Sequence, residues 1–334
     1  MGKNGKIMLM GLGDFGIDVV KALPFDDSAI FSKKFVNNIN QLTTSVLHPS
    51  NSILTQDYEF NYDIDLAEEV FLQKSEEIKT QIANAVIIFL IHGLGGATGS
   101  GAALAISQIA RQEKKVVISI ALSPNEYAST NIHNNTSDCI NKIKSIASSC
   151  ILLSYQRISE EYQGFQVRDV KQLIINKIAS IINTITSILV PINPVINIDI
   201  SLVKSVLTNS KFLFINSSSA NGNHRANKAV EKLLNNNFSD FEFNSGDEMI
   251  IAIYSDEKIQ VKEVNEILQK VKSKFRKDIK YSHGVYHRKN LGDNITIGII
   301  ASQKRYDYEI NTNPHNQLEN SEENVDLSLV SFTN

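Results

Sequence analysis

Ile91-His92-Gly93-Leu94-Gly95-Gly96-Ala97-Thr98-Gly99-Ser100-Gly101-Ala102-Ala103 stands between an apolar run, Ala85 to Ile91, and a helical pattern, Ala102 to Gln112. A strand that ends in so many glycines and small hydroxyls exposes a row of backbone N–H groups at a helix N-terminus, and phosphate is their natural partner. Gly93, Gly95, Gly96, Gly99 and Gly101 let a backbone approach an anion closely, while Thr98 and Ser100 offer hydroxyl donors. A merely flexible glycine loop is the plainer reading, but such loops rarely separate a buried strand from an alanine-rich helix. No Gly-Lys-Ser/Thr follows the glycines, so this is not a Walker loop. His92 at the strand end reads as a packed or capping histidine sooner than a phosphate ligand, because no second base or ligand stands near it.

The same grammar occurs at the N-terminus, where Lys6 to Met10 reads as a strand, Gly11 to Gly16 as its turn and Ile17 to Leu23 as the helix it opens. Further strands are expected at Phe35 to Ile39, Val86 to Ile91 and Val116 to Leu122, with an amphipathic acidic helix from Leu66 to Ala83. This alternation predicts a doubly wound, mostly parallel α/β sheet. Gly11-Leu12-Gly13-Asp14-Phe15-Gly16 has the letters of a dinucleotide fingerprint, yet Phe35-Val36-Asn37-Asn38 stands where the ribose-binding carboxylate belongs. A dehydrogenase also leaves the second glycine turn unexplained, whereas two turns on neighbouring strand ends clasp the phosphates of one nucleotide.

With 334 residues, 42% hydrophobic and 21% charged, the chain is long enough for two packed domains. A net charge of −3 gives no basic footprint for nucleic acid, and no polybasic block suggests a membrane surface. Cys139 and Cys150 are too few for a disulfide framework and lack zinc spacing, which fits a reduced, cytoplasmic setting. The apolar run Ile7 to Met10 is too short for a signal peptide. Leu173 to Val190 is the longest greasy stretch, but Lys177 and its Asn, Ser and Thr residues argue for a buried helix and against membrane insertion. Residues 1–166 are expected to form the nucleotide-binding domain, 167–195 a central helix and linker, 196–302 a smaller α+β domain and 303–334 a disordered tail. In the smaller domain, strands at Ile279 to Tyr286 and Asn294 to Ala301 are expected to form a meander joined near Asn290 to Asp293. The alternation Val325 to Phe332 suits either a short partner-binding strand or a sticky terminus.

Gly95-Gly96-Ala97-Thr98-Gly99-Ser100-Gly101 resembles the Gly-Gly-Gly-Thr-Gly-Ser/Thr-Gly signature of the tubulin and FtsZ superfamily of polymerising GTPases, departing from it at Ala97. Asn197-Ile198-Asp199-Ile200 resembles that family's synergy loop, and Ala220 to Ala226 its Thr-Gly-Glu-Asn-Arg-Ala segment, in the order of the bacterial branch. The resemblance implies GTP or GDP held by Gly11, Gly13, Asp14, Phe15 and Gly16 together with Gly93, Gly95, Gly96, Ala97, Thr98, Gly99, Ser100 and Gly101, with Mg2+ as a companion ion. It places Asn176 as a guanine-reading amide and Glu126 as a replacement for the sugar-contacting acid lost at Ala128. It further implies head-to-tail filaments in which Asp199 completes the next subunit's site and polarises the attacking water. Read from the residues alone, Asn197 and Asp199 are equally a turn and cap feeding a helix, and Asn176 a cap of an internal polar contact.

Several positions depart from the family pattern. The second synergy-loop acid falls at Leu202, and loss of one positioned acid slows such a step by roughly 10²–10⁴, so hydrolysis is expected to be slow or absent. No glycine occurs between Gly16 and Gly93, where the family has a phosphate-sensing loop. Lys177 stands at the guanine-reading acid and would repel the ring N–H donors. His283 and His287 share a strand face, read as solvated surface and not as a metal site. The competing reading is a nucleotide-binding structural filament protein without turnover, or a modulator of another FtsZ-family protein, and the tail offers a place for a further partner.

Overall fold

A computed structural model of the protein describes residues 5–38, 52–55, 60–189, 194–235, 246–256, 258–275, 278–289 and 291–303. In chain order the elements are β1 (Lys6–Leu12), α1 (Gly13–Ala22), β2 (Phe31–Asn38), β3 (Ser52–Thr55), α2 (Ile64–Gln73), α3 (Ser75–Ile82), β4 (Ala85–Gly93) and α4 (Ala97–Gln112). They continue with β5 (Val116–Leu122), α5 (Thr130–Ile146), β6 (Ser149–Leu153), α6 (Tyr155–Glu161) and α7 (Val167–Leu189). The remainder comprises β7 (Pro194–Ile196), α8 (Ile200–Thr208), β8 (Phe212–Ala220), α9 (Arg225–Asn235), β9 (Glu248–Ser255), α10 (Val261–Lys272), β10 (Lys280–His287) and β11 (Ile295–Gln303).

One sheet runs through the described residues in the order β3-β2-β1-β4-β5-β6-β8-β11-β9-β10-β7. Its first six strands are parallel, as the alternation of strands and helices requires. Strand β4 reads AVIIFLIHG, a continuous apolar run, because both faces of a parallel sheet are covered. Period-two alternation sorts β1 between the faces: Ile7 and Leu9 join one core cluster, Met8, Met10 and Leu12 the other. The first face carries α1, α6, α7 and α8, and the second carries α2, α3, α4 and α5. A third cluster lies under α9 and α10 in the C-terminal half.

The two halves of the sheet meet where Cys150 of β6 pairs with Phe212 of β8, and the Cys150 N–H donates to the Lys211 carbonyl at 3.2 Å. Helix α7 covers this junction. By length and composition Arg168–Leu189 is apolar enough to cross a bilayer, but Ile174, Ile178, Ile181, Ile182, Ile185 and Ile188 are buried in the cluster that also holds β1, β4, β8 and β9 side chains. The expected buried helix is therefore a helix shared by both halves.

Four expectations need correction. The single helix expected from Leu66 to Ala83 is two, α2 and α3, parted at Lys74, whose φ of −91° and ψ of 19° serve as the end of one helix and the start of the next. Helix α1 begins at Gly13 and α4 at Ala97, so the second half of the glycine stretch is the first turn of a helix and not loop. The meander is absent among the described strands: β9 lies between β10 and β11, parallel to β10 and antiparallel to β11. A crossover through α10 sets β10 beside β9, which leaves the next strand to fill the gap toward β8. Finally, Gln303 ends β11 and does not begin a tail; the tail from residue 304 and the Val325 to Phe332 segment lie outside the described residues.

If α7 is the shared core element, Ile182→Ala, a fully buried site, should cost about 2–5 kcal/mol. Urea unfolding followed by circular dichroism is expected to show a lower midpoint with an unchanged slope; a shift worth less than about 1 kcal/mol would mean that α7 is not packed as described.

Candidate functional site

The parallel strands wind outward in both directions from β1 and β4, so the carboxyl ends of these two neighbours mark the topological switch point of the sheet, where open α/β folds bind ligands. Both glycine turns leave from that point. A cleft of about 550 Å³ opens there, lined by Leu12, Gly13, Asp14 and Phe15 from the first turn, and by Gly93, Leu94, Gly96, Ala97, Thr98 and Gly99 from the second. Phe60, Asn61 and Tyr62 close one side, and Pro124, Asn125, Ala128 and Ile132 another.

Helix α4 aims its N-terminus into this space. Gly96 is its N-cap without a side-chain hydrogen bond, and the first intrahelical donor is the Ser100 N–H, which bonds the Gly96 carbonyl at 3.0 Å. The N–H groups of Ala97, Thr98 and Gly99 precede that bond and carry the positive end of a 16-residue helix. An anion at this mouth meets donors that the helix cannot satisfy itself.

The glycines divide by role. Gly13, Gly93, Gly96 and Gly99 line the cleft, and Gly13 and Gly99 bring the two turns together, a methyl on Gly13 lying 3.4 Å from Gly99. Gly11, Gly16 and Gly101 are instead packing residues. A methyl on Gly16 would stand 2.0 Å from the Ile91 carbonyl oxygen, and one on Gly101 would stand 2.6 Å from Cβ of Ala67 where α4 rests on α2. Gly95 takes a left-handed φ of 81° facing the Ile132 carbonyl.

Other expected site residues lie elsewhere. Ser100 is fully buried beside the Cys139 thiol and does not line the cleft. Glu126 is exposed, beside the equally exposed Tyr127. Asn176 is exposed on α7, where Gln172 donates to its amide oxygen at 3.0 Å. Lys177 does not face the cleft as expected. Its amine donates to Asn216 Oδ1 at 2.6 Å on β8, and burial lowers its pKa to about 8. Burial likewise pushes the thiols of Cys139 and Cys150 up to about 11 and about 12, which leaves both as inert packing.

Asp199 lines a second cavity of about 350 Å³, together with Ser201, Leu202, Ser205, Glu248, Lys280, Tyr281 and Ser282. It caps α8: its Oδ1 accepts from the Ser201 hydroxyl at 2.7 Å and the Ser201 N–H at 2.8 Å, bonds that hold its pKa below the usual carboxylate value. Its own N–H donates to Ser282 Oγ at 3.0 Å, and the preceding Ile198 packs where Gly284 leaves no side chain. An exposed, ionised carboxylate is thus fixed on the rim of β10. Among the described residues no three His, Cys, Asp or Glu side chains converge as a metal site.

Phe60, Asn61 and Tyr62 escaped the sequence reading. Asn61 and Tyr62 adopt left-handed φ values of 42° and 67°, a conformation expected of glycine, and Asn135 donates to the Tyr62 carbonyl at 2.7 Å. Asp63, which caps α2 by accepting from the Leu66 N–H, was the available signal for a turn ending there.

Two half-sheets sharing one long helix, with paired glycine turns at the switch point, define the tubulin/FtsZ type of α/β protein. Residues 6–163 match the family model of the tubulin/FtsZ GTPase domain, and residues 213–304 match that of the FtsZ C-terminal domain. The cell division protein FtsZ of Mycoplasmopsis pulmonis is 26% identical over 237 residues, a match covering 70% of this chain and 60% of that relative's length. Among solved structures, an empty FtsZ dimer from M. jannaschii superposes with a TM-score of 0.72 at 19% identity, covering 93% of this chain and 95% of the other. The GDP-form protofilament of TubZ from Bacillus thuringiensis serovar israelensis gives a TM-score of 0.72 at 14% identity, with 90% and 88% covered. The chain is an FtsZ-like member of the tubulin superfamily.

His92, at the end of β4, supports the cleft from below. It is fully buried, its Nε2 lies 2.8 Å from Ser119 Oγ, and burial lowers its pKa from 6.5 to about 4. The unfolded chain therefore binds this proton between pH 6.5 and about 4 while the folded chain does not, so stability falls as pH drops through that window. Melting temperatures measured across it should show a flatter acid limb for His92→Gln than for wild type; parallel limbs would exclude His92 as a source of acid sensitivity.

Proposed function

We propose that the protein is a GTP-binding cytoskeletal subunit that assembles head to tail into filaments in the cytoplasm, hydrolysing GTP slowly with help from the neighbouring subunit. The observation that carries this reading is the cleft at the β1/β4 switch point, with the free α4 N-terminus and paired glycine turns on its walls. Its size and donors suit a nucleotide. The N–H groups of Ala97, Thr98 and Gly99 would hold phosphate, Gly13 to Phe15 would cover it from the other side, and the Pro124, Asn125, Ala128 and Ile132 wall would flank the sugar and base. GTP, when bound, supplies the phosphoanhydride bond and Mg2+ the charge neutralisation.

In this reading residues 1–166 bind nucleotide, 167–195 form the linking helix, and 196–302 carry the loop that meets the next subunit. Asp199 is the residue that would orient water there. Its exposure and lowered pKa keep it charged at neutral pH, and the Ser201 and Ser282 contacts fix its position. Contacts between unlike surfaces propagate without closing, which gives filaments and not dimers. Leu202, on the same cavity as Asp199, leaves this side with one loop carboxylate where the family has two, and it favours the second reading, a nucleotide-binding filament protein without turnover.

Sedimentation with GTP, GDP or no nucleotide, with pellets viewed by electron microscopy, is expected to give filaments with GTP. Filaments that ignore nucleotide would point to the structural reading, and a failure of the cleft to bind nucleotide at all would remove both. Within polymer, Leu202→Asp should raise phosphate release by roughly 10²-fold or more and Asp199→Asn should abolish what remains. Equal rates in all three proteins would place the hydrolytic carboxylate elsewhere.

A further inference from the structure

One wall of the cleft, Phe60 to Tyr62, is a turn with an unsuitable residue in it. The Asp63 N–H donates to the Phe60 carbonyl at 2.6 Å, which closes a four-residue turn around Asn61 and Tyr62. Both central residues have positive φ, 42° and 67°, as in a type I′ turn, and that form favours asparagine followed by glycine. Asn61 suits its place. Tyr62 stands where glycine belongs, and its ring is half exposed at the edge of the cleft. A bulky residue on left-handed backbone persists only where its surroundings hold it, and such residues gather at ligand sites.

Helix α5 supplies the hold. Ile132, Asn135 and Thr136 follow one another at helical spacing on one face, and that face meets the second glycine turn: a methyl on Gly95 would strike the Ile132 carbonyl and the Thr136 hydroxyl. Between Ile132 and Thr136 on this face, Asn135 directs its amide nitrogen at two carbonyls. It donates to the Tyr62 carbonyl at 2.7 Å and, more weakly, to the Gly95 carbonyl at 3.4 Å. Both partners are acceptors, so only the nitrogen side of the amide can face them, with one N–H for each. The two carbonyls belong to left-handed residues on different walls, Tyr62 at φ 67° and Gly95 at φ 81°. One side chain thus ties the aromatic wall to the turn that opens α4.

We propose that Asn135 is a positioning residue for the nucleotide, its amide clamping the Tyr62 turn to the Gly95 turn so that the Tyr62 ring closes the cleft and slows release of what is bound. The inference rests on the nucleotide reading of the same cleft. Asn135 does not touch the ligand in this account and acts through Tyr62. Its loss therefore shows in the rate of departure, because a looser wall admits a ligand as readily as a closed one but retains it less well.

The test is stopped-flow fluorescence with labelled GDP and the full-length protein, measuring association and, after a chase with unlabelled GDP, release. Wild type is compared with Asn135→Ala, Asn135→Asp, Tyr62→Gly and the double variant Asn135→Ala/Tyr62→Gly, with melting curves to confirm folding. Tyr62→Gly gives the turn its preferred residue and removes only the ring. Asn135→Ala should speed release by roughly threefold to tenfold, the worth of one hydrogen bond, with association changed less than about twofold. Asn135→Asp keeps the shape but sets an acceptor against two carbonyls, and should speed release at least as much. Tyr62→Gly should do the same, and the double variant should release no faster than Tyr62→Gly alone, since both changes act on one wall. Unchanged release in folded Asn135 variants or in Tyr62→Gly overturns the proposal, and so do effects that multiply in the double variant, while GDP binding by wild type keeps the nucleotide reading intact. Absence of GDP binding by wild type overturns that reading and this inference with it.

Discussion

Helix α1 lies so close to β4 that there is no room for a side chain at Gly16, where a methyl would stand 2.0 Å from the Ile91 carbonyl. Gly11 imposes the same closeness from β1, since its absent side chain would meet the Gly16 carbonyl at 2.4 Å. Together they press the start of α1 down between the two central strands, and Gly13 and Gly99 come into contact as a result. Two helix N-termini then open on one cleft. Without that closeness the glycine turns would be two separate loops, and the α4 N–H groups would have no opposite wall.

The rest of the molecule is arranged about the same strands. Helix α7 draws its buried isoleucines from a cluster that includes β1 and β4 on one side and β8 and β9 on the other. Further along the chain, Ser282 and Gly284 of β10 anchor the loop that presents Asp199. The cleft and the Asp199 cavity belong to different halves, yet each is set by strands packed against one shared helix. The proposed head-to-tail assembly draws on this division, with the cleft on one half and the fixed carboxylate on the other.

Much of this could be read from the residues, because the strongest signals are local. Val116 to Leu122 carries an unambiguous apolar pattern and keeps its expected bounds, and the greasy stretch that begins at Leu173 belongs to a helix, as expected, which ends at Leu189. The elements that were missed depend on distant partners. Strand β6 has five residues and α5 has few apolar ones, so neither shows a clear period before packing defines it. The order of β9, β10 and β11 is a matter of which edge each strand finds, and sequence proximity misled there. In the site, glycines were legible as glycines but not by role: nothing in the string separates Gly93, which faces space, from Gly101, which faces Ala67. Lys177 was misplaced because a position on a helix does not say which neighbour its amine will reach, and Tyr62 because an aromatic residue is seldom expected in a left-handed turn.

The seam between the half-sheets, where Cys150 meets Phe212, has a mechanical meaning. Within each half, neighbouring strands share ladders of several residues, so deforming a half breaks many hydrogen bonds together. Across the seam a single bridge holds strand to strand, and bending there leaves both ladders intact. The halves are thus joined edge to edge by one bridge and face to face by α7, so side-chain packing, more than backbone hydrogen bonding, holds one half to the other.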